Sequence, residues 1–228
     1  MFTTEPPAPS ARRRGLLVTF EGMDGSGKTT QIARLAARLR ALGLEVLETA
    51  EPGGTRIGSQ IRRILLDPAN AELCAEAELL LYFACRAQNV DQWIRPALDR
   101  GGVVISDRFT DSTLAYQGAG RGLGEEWVRA VDAIACRGLE PDLTLYLEID
   151  PQTSLARARA RNLERDAAAE SRMDEQSLEF HRRVHAAYAE LAARHAHRFR
   201  VIDGRGDPDS MERAVWEAVA PLLGRLRV

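Results

Sequence analysis

Leu16-Leu17-Val18-Thr19-Phe20-Glu21-Gly22-Met23-Asp24-Gly25-Ser26-Gly27-Lys28-Thr29-Thr30 is the stretch on which the fold turns. Leu16 to Phe20 reads as a strand buried on both faces, because its apolar run does not alternate with polar residues. Gly22 to Thr29 fits the pattern G-x-x-x-x-G-K-[ST], and Ile32, Leu35, Ala36, Leu39 and Leu42 follow at helical spacing until Gly43. A strand that turns through glycines into a helix is the setting in which this motif cradles phosphate. Gly22, Met23, Asp24, Gly25, Ser26 and Gly27 offer backbone N–H groups that converge on phosphate oxygens, and the helix N-terminus adds a favourable dipole. Lys28 brings a point charge to the terminal phosphates, and the Thr29 hydroxyl is a candidate ligand for Mg²⁺.

Lys28 stands out on composition as well. Of 31 Lys and Arg side chains it is the one lysine. A chain that otherwise uses the planar, forked guanidinium keeps a compact ammonium where a narrow cradle requires one. The same count excludes a guanine-reading Asn-Lys-x-Asp motif, since the lysine is already committed.

Outward from the cradle, short apolar runs alternate with helical periodicity. Strands are expected at Leu44–Thr49, Val103–Ser106, Leu143–Ile149 and Arg200–Asp203. Helices are expected at 57–66, 76–99, 125–137, 153–197 with a polar break near 162–174, and 209–226. This alternation implies an α/β fold, doubly wound, with about five parallel strands and helices on both faces. Residues 15–228 are expected to form one domain behind a flexible tail, 1–14, that holds Pro6, Pro7 and Pro9.

Length and charge narrow the function classes. The chain has 228 residues and a formal net charge of −2, which speaks against a protein that coats nucleic acid. Cys74, Cys85 and Cys136 have no metal-ligand spacing and fit a reducing compartment. Arg12-Arg13-Arg14 precedes an apolar run that ends at Phe20, too short for an export segment, and no stretch approaches the length of a membrane span. A cytoplasmic protein with no membrane partner is expected.

Several clusters suggest a second substrate. Glu51-Pro52-Gly53-Gly54-Thr55 follows the second strand, at the carboxyl edge where open α/β sheets bind ligands. Asp107-Arg108 ends the third strand and pairs a Mg²⁺-side carboxylate with a phosphate-binding guanidinium. Tyr82, Phe83 and Arg86 lie within one helical turn, an aromatic and a guanidinium suited to stacking on a base and reading its carbonyl edge; the alternative is a plain core stripe. Ser112, Thr113, Tyr116, Gln117 and Arg121 form a polar, glycine-containing segment, with a solvated loop as its alternative. Arg157, Arg159, Arg161 and Arg165 lead into the polar break and read either as a lid over phosphates or as a solvated helix face. His181 and His185 stand at i, i+4 without a third ligand and are expected on a helix surface.

Taken together, GMDGSGKTT (22–30), EPGGT (51–55), LLYFACRAQ (80–88), DRFTDSTLAYQGAGRG (107–122), PDLTLYLEID (141–150) and RARAR (157–161) resemble the bacterial thymidylate kinase (dTMP kinase) family over about 16–226. The resemblance implies a P-loop nucleoside-monophosphate-kinase-like fold with a short Arg-rich lid at about 157–175. It implies Mg²⁺-ATP-dependent conversion of dTMP to dTDP in a homodimer, with ATP as phosphoryl donor. It places Asp24 on the sugar 3′-hydroxyl, Arg108 on the dTMP phosphate, Tyr82 against the base and Arg86 on a pyrimidine carbonyl. Ser112, Thr113 and Gln117 fall along base and sugar, and Thr29 and Asp107 on the magnesium side. Glu51, Pro52, Phe83 and Tyr116 join the substrate set, and Lys28, Arg108, Arg157, Arg159 and Arg161 the catalytic set. Gly25 is not basic, so the chain resembles the members of the family whose lid arginines, rather than the P-loop, carry the catalytic cation.

Departures from the family pattern are Ala50 where Arg is usual, Tyr82 where Phe is commoner, and Asn162 where Gly is common. The lid's usual Asp-Arg-x-Glu is spread between Glu164-Arg165-Asp166 and Arg172-Met173-Asp174-Glu175. The rival readings are another nucleoside-monophosphate or deoxynucleoside kinase of the same fold, and an ATP-dependent switch or binding protein.

Overall fold

The computed structural model describes residues 15–165 and 172–226, without the side chains of 159 and 161–165. The expected tail, 1–14, and residues 166–171 of the expected lid lie outside the described residues. In chain order the elements are β1 (Leu16–Glu21), α1 (Lys28–Ala41), β2 (Val46–Ala50), α2 (Arg56–Leu66), α3 (Ala75–Asn89), α4 (Arg95–Asp99), β3 (Val103–Asp107), α5 (Thr110–Thr113), α6 (Glu125–Cys136), β4 (Leu143–Glu148), α7 (Pro151–Arg165), α8 (Leu178–Arg194), β5 (Phe199–Asp203) and α9 (Pro208–Val219). The five strands form one parallel sheet in the order β2-β3-β1-β4-β5.

The continuous apolar strands are buried on both faces. Leu17, Val104, Tyr146 and Phe199 enter one core with residues of α3, α6 and α8. Leu16, Val18, Phe20, Ile105, Leu145 and Ile202 enter the other, with Ile32 and Leu35 of α1 and Val215 of α9. Each such side chain fully buried contributes about 1.5–3 kcal/mol, so both cores hold the sheet in place.

Register brings the chemistry together. Phe20 and Ala50 both stand opposite Asp107, so β1, β2 and β3 end at one edge. Beyond that edge Arg108 N donates to Phe20 O and Glu51 N donates to Asp107 O, both at 2.9 Å. The phosphate cradle, Glu51 and Arg108 therefore start side by side, although they are far apart in sequence.

Four expectations change. β2 begins at Val46 rather than Leu44. The helix expected from 76 to 99 is divided by a wide turn, Val90–Ile94, next to Pro96, which has no N–H to continue the ladder. The polar segment after Arg108 is not a solvated loop: α5 runs into a widened helical stretch, Leu114–Gly120, buried beneath α8. Its glycine serves packing, since a Cβ at Gly120 would lie 2.7 Å from the Phe180 ring. α7 does not break at Asn162; its backbone continues to Arg165.

Candidate active site

Gly22, Gly25 and Gly27 all have positive φ, and a Cβ at Gly22 would meet Leu147 O at 2.4 Å. Only glycine allows this turn to lie against β4 and still open the backbone toward a ligand. Gly27 caps α1 in a left-handed conformation. Lys28 Nζ donates to Gly22 O at 3.0 Å and Met23 O at 2.9 Å, arching the ammonium back over the loop. Burial, followed by the neighbouring Arg108 charge, lowers the Lys28 pKa, so an anion placed here relieves a real electrostatic cost. Met23 and Ser26 side chains turn inward and are buried, leaving their backbone to shape the cradle.

The cradle opens into a cleft of about 540 Å³. Asp24, Gly25, Gly27, Lys28, Thr29, Glu51, Pro52, Tyr82, Arg86, Asp107, Arg108, Ser112, Thr113, Tyr116, Gln117 and Arg157 all line it. These residues were singled out from separate stretches of sequence, and the sheet edge gathers them around one space.

Arg108 lines the cleft and is held there by several partners. It occupies the left-handed region at φ +71, where a non-glycine residue is strained. Its Nη2 donates to Asp24 Oδ2 at 3.2 Å, its Nη1 to Ser112 Oγ at 3.2 Å, and its guanidinium lies 5.0 Å from the Tyr116 ring centroid. Burial opposes its charge, but Tyr116, Asp24, Tyr188 and Asp107 hold its pKa above the ordinary value. Glu21, fully buried below, accepts from Phe109 N at 2.8 Å, from Tyr188 OH at 2.8 Å and from Ser112 Oγ. Arg108 is thus aimed by a pre-formed set of polar partners.

Arg86 is buried, with Glu51 on its Nε and Phe109 O on its Nη2 at 3.1 Å. Its Nη1 is buried and without a partner among the described residues, and Arg86 is one of the residues that line the cleft. Tyr82 is half-buried at the cleft wall, and burial pushes its hydroxyl pKa up to about 12, keeping it neutral. Phe83 does not line the cleft. One position on, about 100° around the helix, it is 2 % exposed and packs in the core beside Arg86.

On the lid side, Arg157 Nη1 donates to Gly25 O at 3.3 Å and Gly204 O at 3.0 Å, tying α7 to the cradle and to the end of β5. The side chains of Arg159, Arg161 and Arg165 lie outside the described residues. For a metal, Asp107 Oδ1 is buried and unpartnered among the described residues, and Thr29 lines the same cleft. Hard oxygen donors of this kind fit Mg²⁺. His181, expected on a surface, is buried edge-on against Phe180, while His185 Nε2 meets Glu148 Oε1 at 2.7 Å. Among the described residues no three metal-ligating side chains cluster.

Arg62, Leu66 and Met173 also line the cleft and were not singled out for it. Arg62 Nη1 donates to Pro52 O at 2.8 Å, which sets a cation beside the EPGGT turn whose preceding residue is Ala50. The sequence signal available for it was a basic residue on α2, indistinguishable there from Arg63. Asp174, noted only as a fragment of the lid pattern, lines the cleft as well.

Sheet order, phosphate cradle and the adjoining arginine-lined cleft define a P-loop phosphotransferase of the nucleoside-monophosphate-kinase fold. The family model "Thymidylate kinase" matches residues 20–215. The chain belongs to the thymidylate kinase family. A thymidylate kinase of Solidesulfovibrio magneticus is 50% identical over 209 residues, 91% of this chain and 100% of that protein. One of Thermomicrobium roseum is 50% identical over 210 residues, 92% of this chain and 97% of that protein. The crystal structure of thymidylate kinase from Ehrlichia chaffeensis is similar with a TM-score of 0.73 at 28% identity, covering 90% of this chain and 98% of that one.

Proposed function

We propose that this chain is a dTMP kinase that transfers the γ-phosphoryl group of ATP directly to dTMP. The observation that carries the reading is one cleft lined by the Lys28 cradle, by Arg108, and by Arg86 and Gln117, with a buried Arg86 donor left unpartnered among the described residues. ATP phosphates rest on the glycine turn and Lys28. Arg108 grips the acceptor phosphate and brings it in line, and Asp24 and Tyr116 hold that guanidinium. Tyr82 stacks on the base, and Arg86 donates to its carbonyl. Arg157, Arg159 and Arg161 bring positive charge and exclude water from the migrating group. Thr29 and Asp107 would hold Mg²⁺, which offsets charge on the phosphates when bound. The nucleophile is a phosphate oxygen, already largely anionic near neutral pH with a second pKa of about 6, so no general base is needed. Positioning and charge neutralisation then carry the rate.

The reading extends to assembly and location. Ile57 and Ile64 on α2, Leu80 on α3, and Trp127 and Ile134 on α6 are exposed, and α3 packs against both other helices. This apolar face supports a homodimer. Cys74, Cys85 and Cys136 are free thiols, and no described helix is long and apolar enough to cross a membrane, which supports a cytoplasmic enzyme. The test is ADP release from Mg²⁺-ATP with dTMP, dUMP, UMP, dCMP, AMP, GMP and thymidine as acceptors. Strong preference for dTMP is expected; ATP hydrolysis independent of acceptor, or preference for another nucleotide, would overturn the reading.

A further inference from the structure

Glu78 on α3 is fully buried one helical turn before Tyr82. Its Oε1 accepts from Gln117 Nε2 at 2.8 Å and Arg121 Nε at 3.1 Å. Its Oε2 accepts from Arg121 Nη2 at 2.9 Å and Arg172 Nη2 at 2.6 Å. Arg172 also donates its backbone N to Leu66 O at 3.2 Å, and its neighbours Met173 and Asp174 line the cleft. One carboxylate therefore joins the base-side helix, the Gln117 stretch and the segment that returns from the lid.

An ionised carboxylate only accepts hydrogen bonds. Burial alone would raise the Glu78 pKa, but the bonds from Arg121 and Gln117 and the charges of Arg121 and Arg172 more than offset it, so the group is ionised near neutral pH. Gln117 must then turn its NH₂ toward Glu78, and its carbonyl oxygen is left for the cleft that it lines. Arg86, whose Nη1 donor is buried and unpartnered among the described residues, lines the same cleft as Gln117. We propose that Glu78 is a specificity-setting positioning residue: by orienting the Gln117 amide it pairs an acceptor with the Arg86 donor, a match for the adjacent N–H and C=O of an imide base. This rests on the dTMP kinase reading above. A cytosine edge reverses both groups and would leave acceptor facing acceptor and donor facing donor.

Glu78→Gln removes the constraint, because the new amide can donate to Gln117 and let its NH₂ face the cleft. The experiment measures kcat/KM for dTMP, dUMP and dCMP, and KM for ATP, in the wild type and in Glu78→Gln. The expected result is a fall of about tenfold in the dTMP/dCMP and dUMP/dCMP ratios, the size of one lost hydrogen bond, carried by KM of the acceptor with KM for ATP unmoved. These ratios do not depend on the fraction of enzyme that is folded. Unchanged ratios, with all acceptors losing equally, would show a structural role and overturn the proposal. A wild type that does not prefer imide bases overturns the dTMP kinase reading instead, a separate result from the same data. If Glu78→Gln does not fold, Glu78→Asp keeps the charge for Arg121 and Arg172, withdraws the carboxylate from Gln117, and is held to the same ratios.

Discussion

Arg108 and Asp24 meet across the mouth of the phosphate cradle, Nη2 to Oδ2 at 3.2 Å, with Arg108 held at φ +71. A strained backbone and a donor loop from a different strand thus converge on one guanidinium, which is fixed before any ligand arrives. Arg108→Ala should lower kcat/KM for dTMP by about 10²-fold or more while ATP binding changes little. Steady-state kinetics with each substrate varied in turn, beside nucleotide-binding titrations, make the comparison. An unaltered kcat/KM for dTMP would refute the phosphate role.

Lys28 is the one lysine in the chain, buried and bonded to Gly22 and Met23 carbonyls. Lys28→Ala should reduce kcat by about 10²–10³-fold with the fold retained by circular dichroism. A folded variant with near-normal turnover would remove Lys28 from the phosphate cradle's chemistry.

Glu21 predicts a pH dependence of stability. Burial, then the charge of Asp111, push its pKa up to about 7 from 4.5. The folded state then binds the proton more tightly than the unfolded state. Its contribution is fully present below about pH 4.5 and is lost as pH rises through about 7. Melting temperatures of wild type and Glu21→Gln, measured from pH 4.5 to 8, should therefore differ by a pH-dependent amount. The variant should lose less stability than the wild type as pH rises across that window. Parallel curves would show that Glu21 does not titrate there.

Arg157 spans the cradle and the end of β5, whereas a solvated stripe would leave its members equivalent. Single alanine replacements at Arg157, Arg159, Arg161 and Arg165 should give one or two losses in kcat on the order of 10³-fold and smaller effects elsewhere. Four small, equal effects would return the stripe to solvent.

Trp127 and Ile134 lie seven residues apart on one face of α6, 62% and 79% exposed. Trp127→Glu with Ile134→Glu should convert a dimer into a monomer in sedimentation equilibrium. A wild-type chain that sediments as a monomer would dismiss the interface at once. Periodicity did not reveal this surface, because only the packing of α3 against α2 and α6 brings together the helices that carry its exposed apolar residues.

Motif and period carried the sequence reading far. G-x-x-x-x-G-K-T after an apolar strand encodes a local turn, and strand–helix alternation encodes a parallel sheet, because both depend on neighbours in the chain. EPGGT and DRFTDSTLAYQGAGRG supplied further parts of the cleft, Glu51 and Pro52 from the first and residues from Asp107 to Gln117 from the second. Other features needed tertiary structure. Tyr82 and Phe83 are adjacent and chemically alike, and only the packing of α3 sends one to the cleft and the other to the core. The segment after Arg108 mixes polar residues with glycines, and α8 lying across 114–120 makes that part a buried helical stretch rather than a loop. Glu78 meets Gln117, Arg121 and Arg172 across separations that no local pattern spans. The sequence by itself determined the phosphate cradle, the α/β class and most of the cleft, since short-range spacing is what those features are made of. Tertiary packing alone decided which side chains line the cleft and which buried charge bonds to them, since those depend on the long-range pairing of groups that must be satisfied once water is excluded.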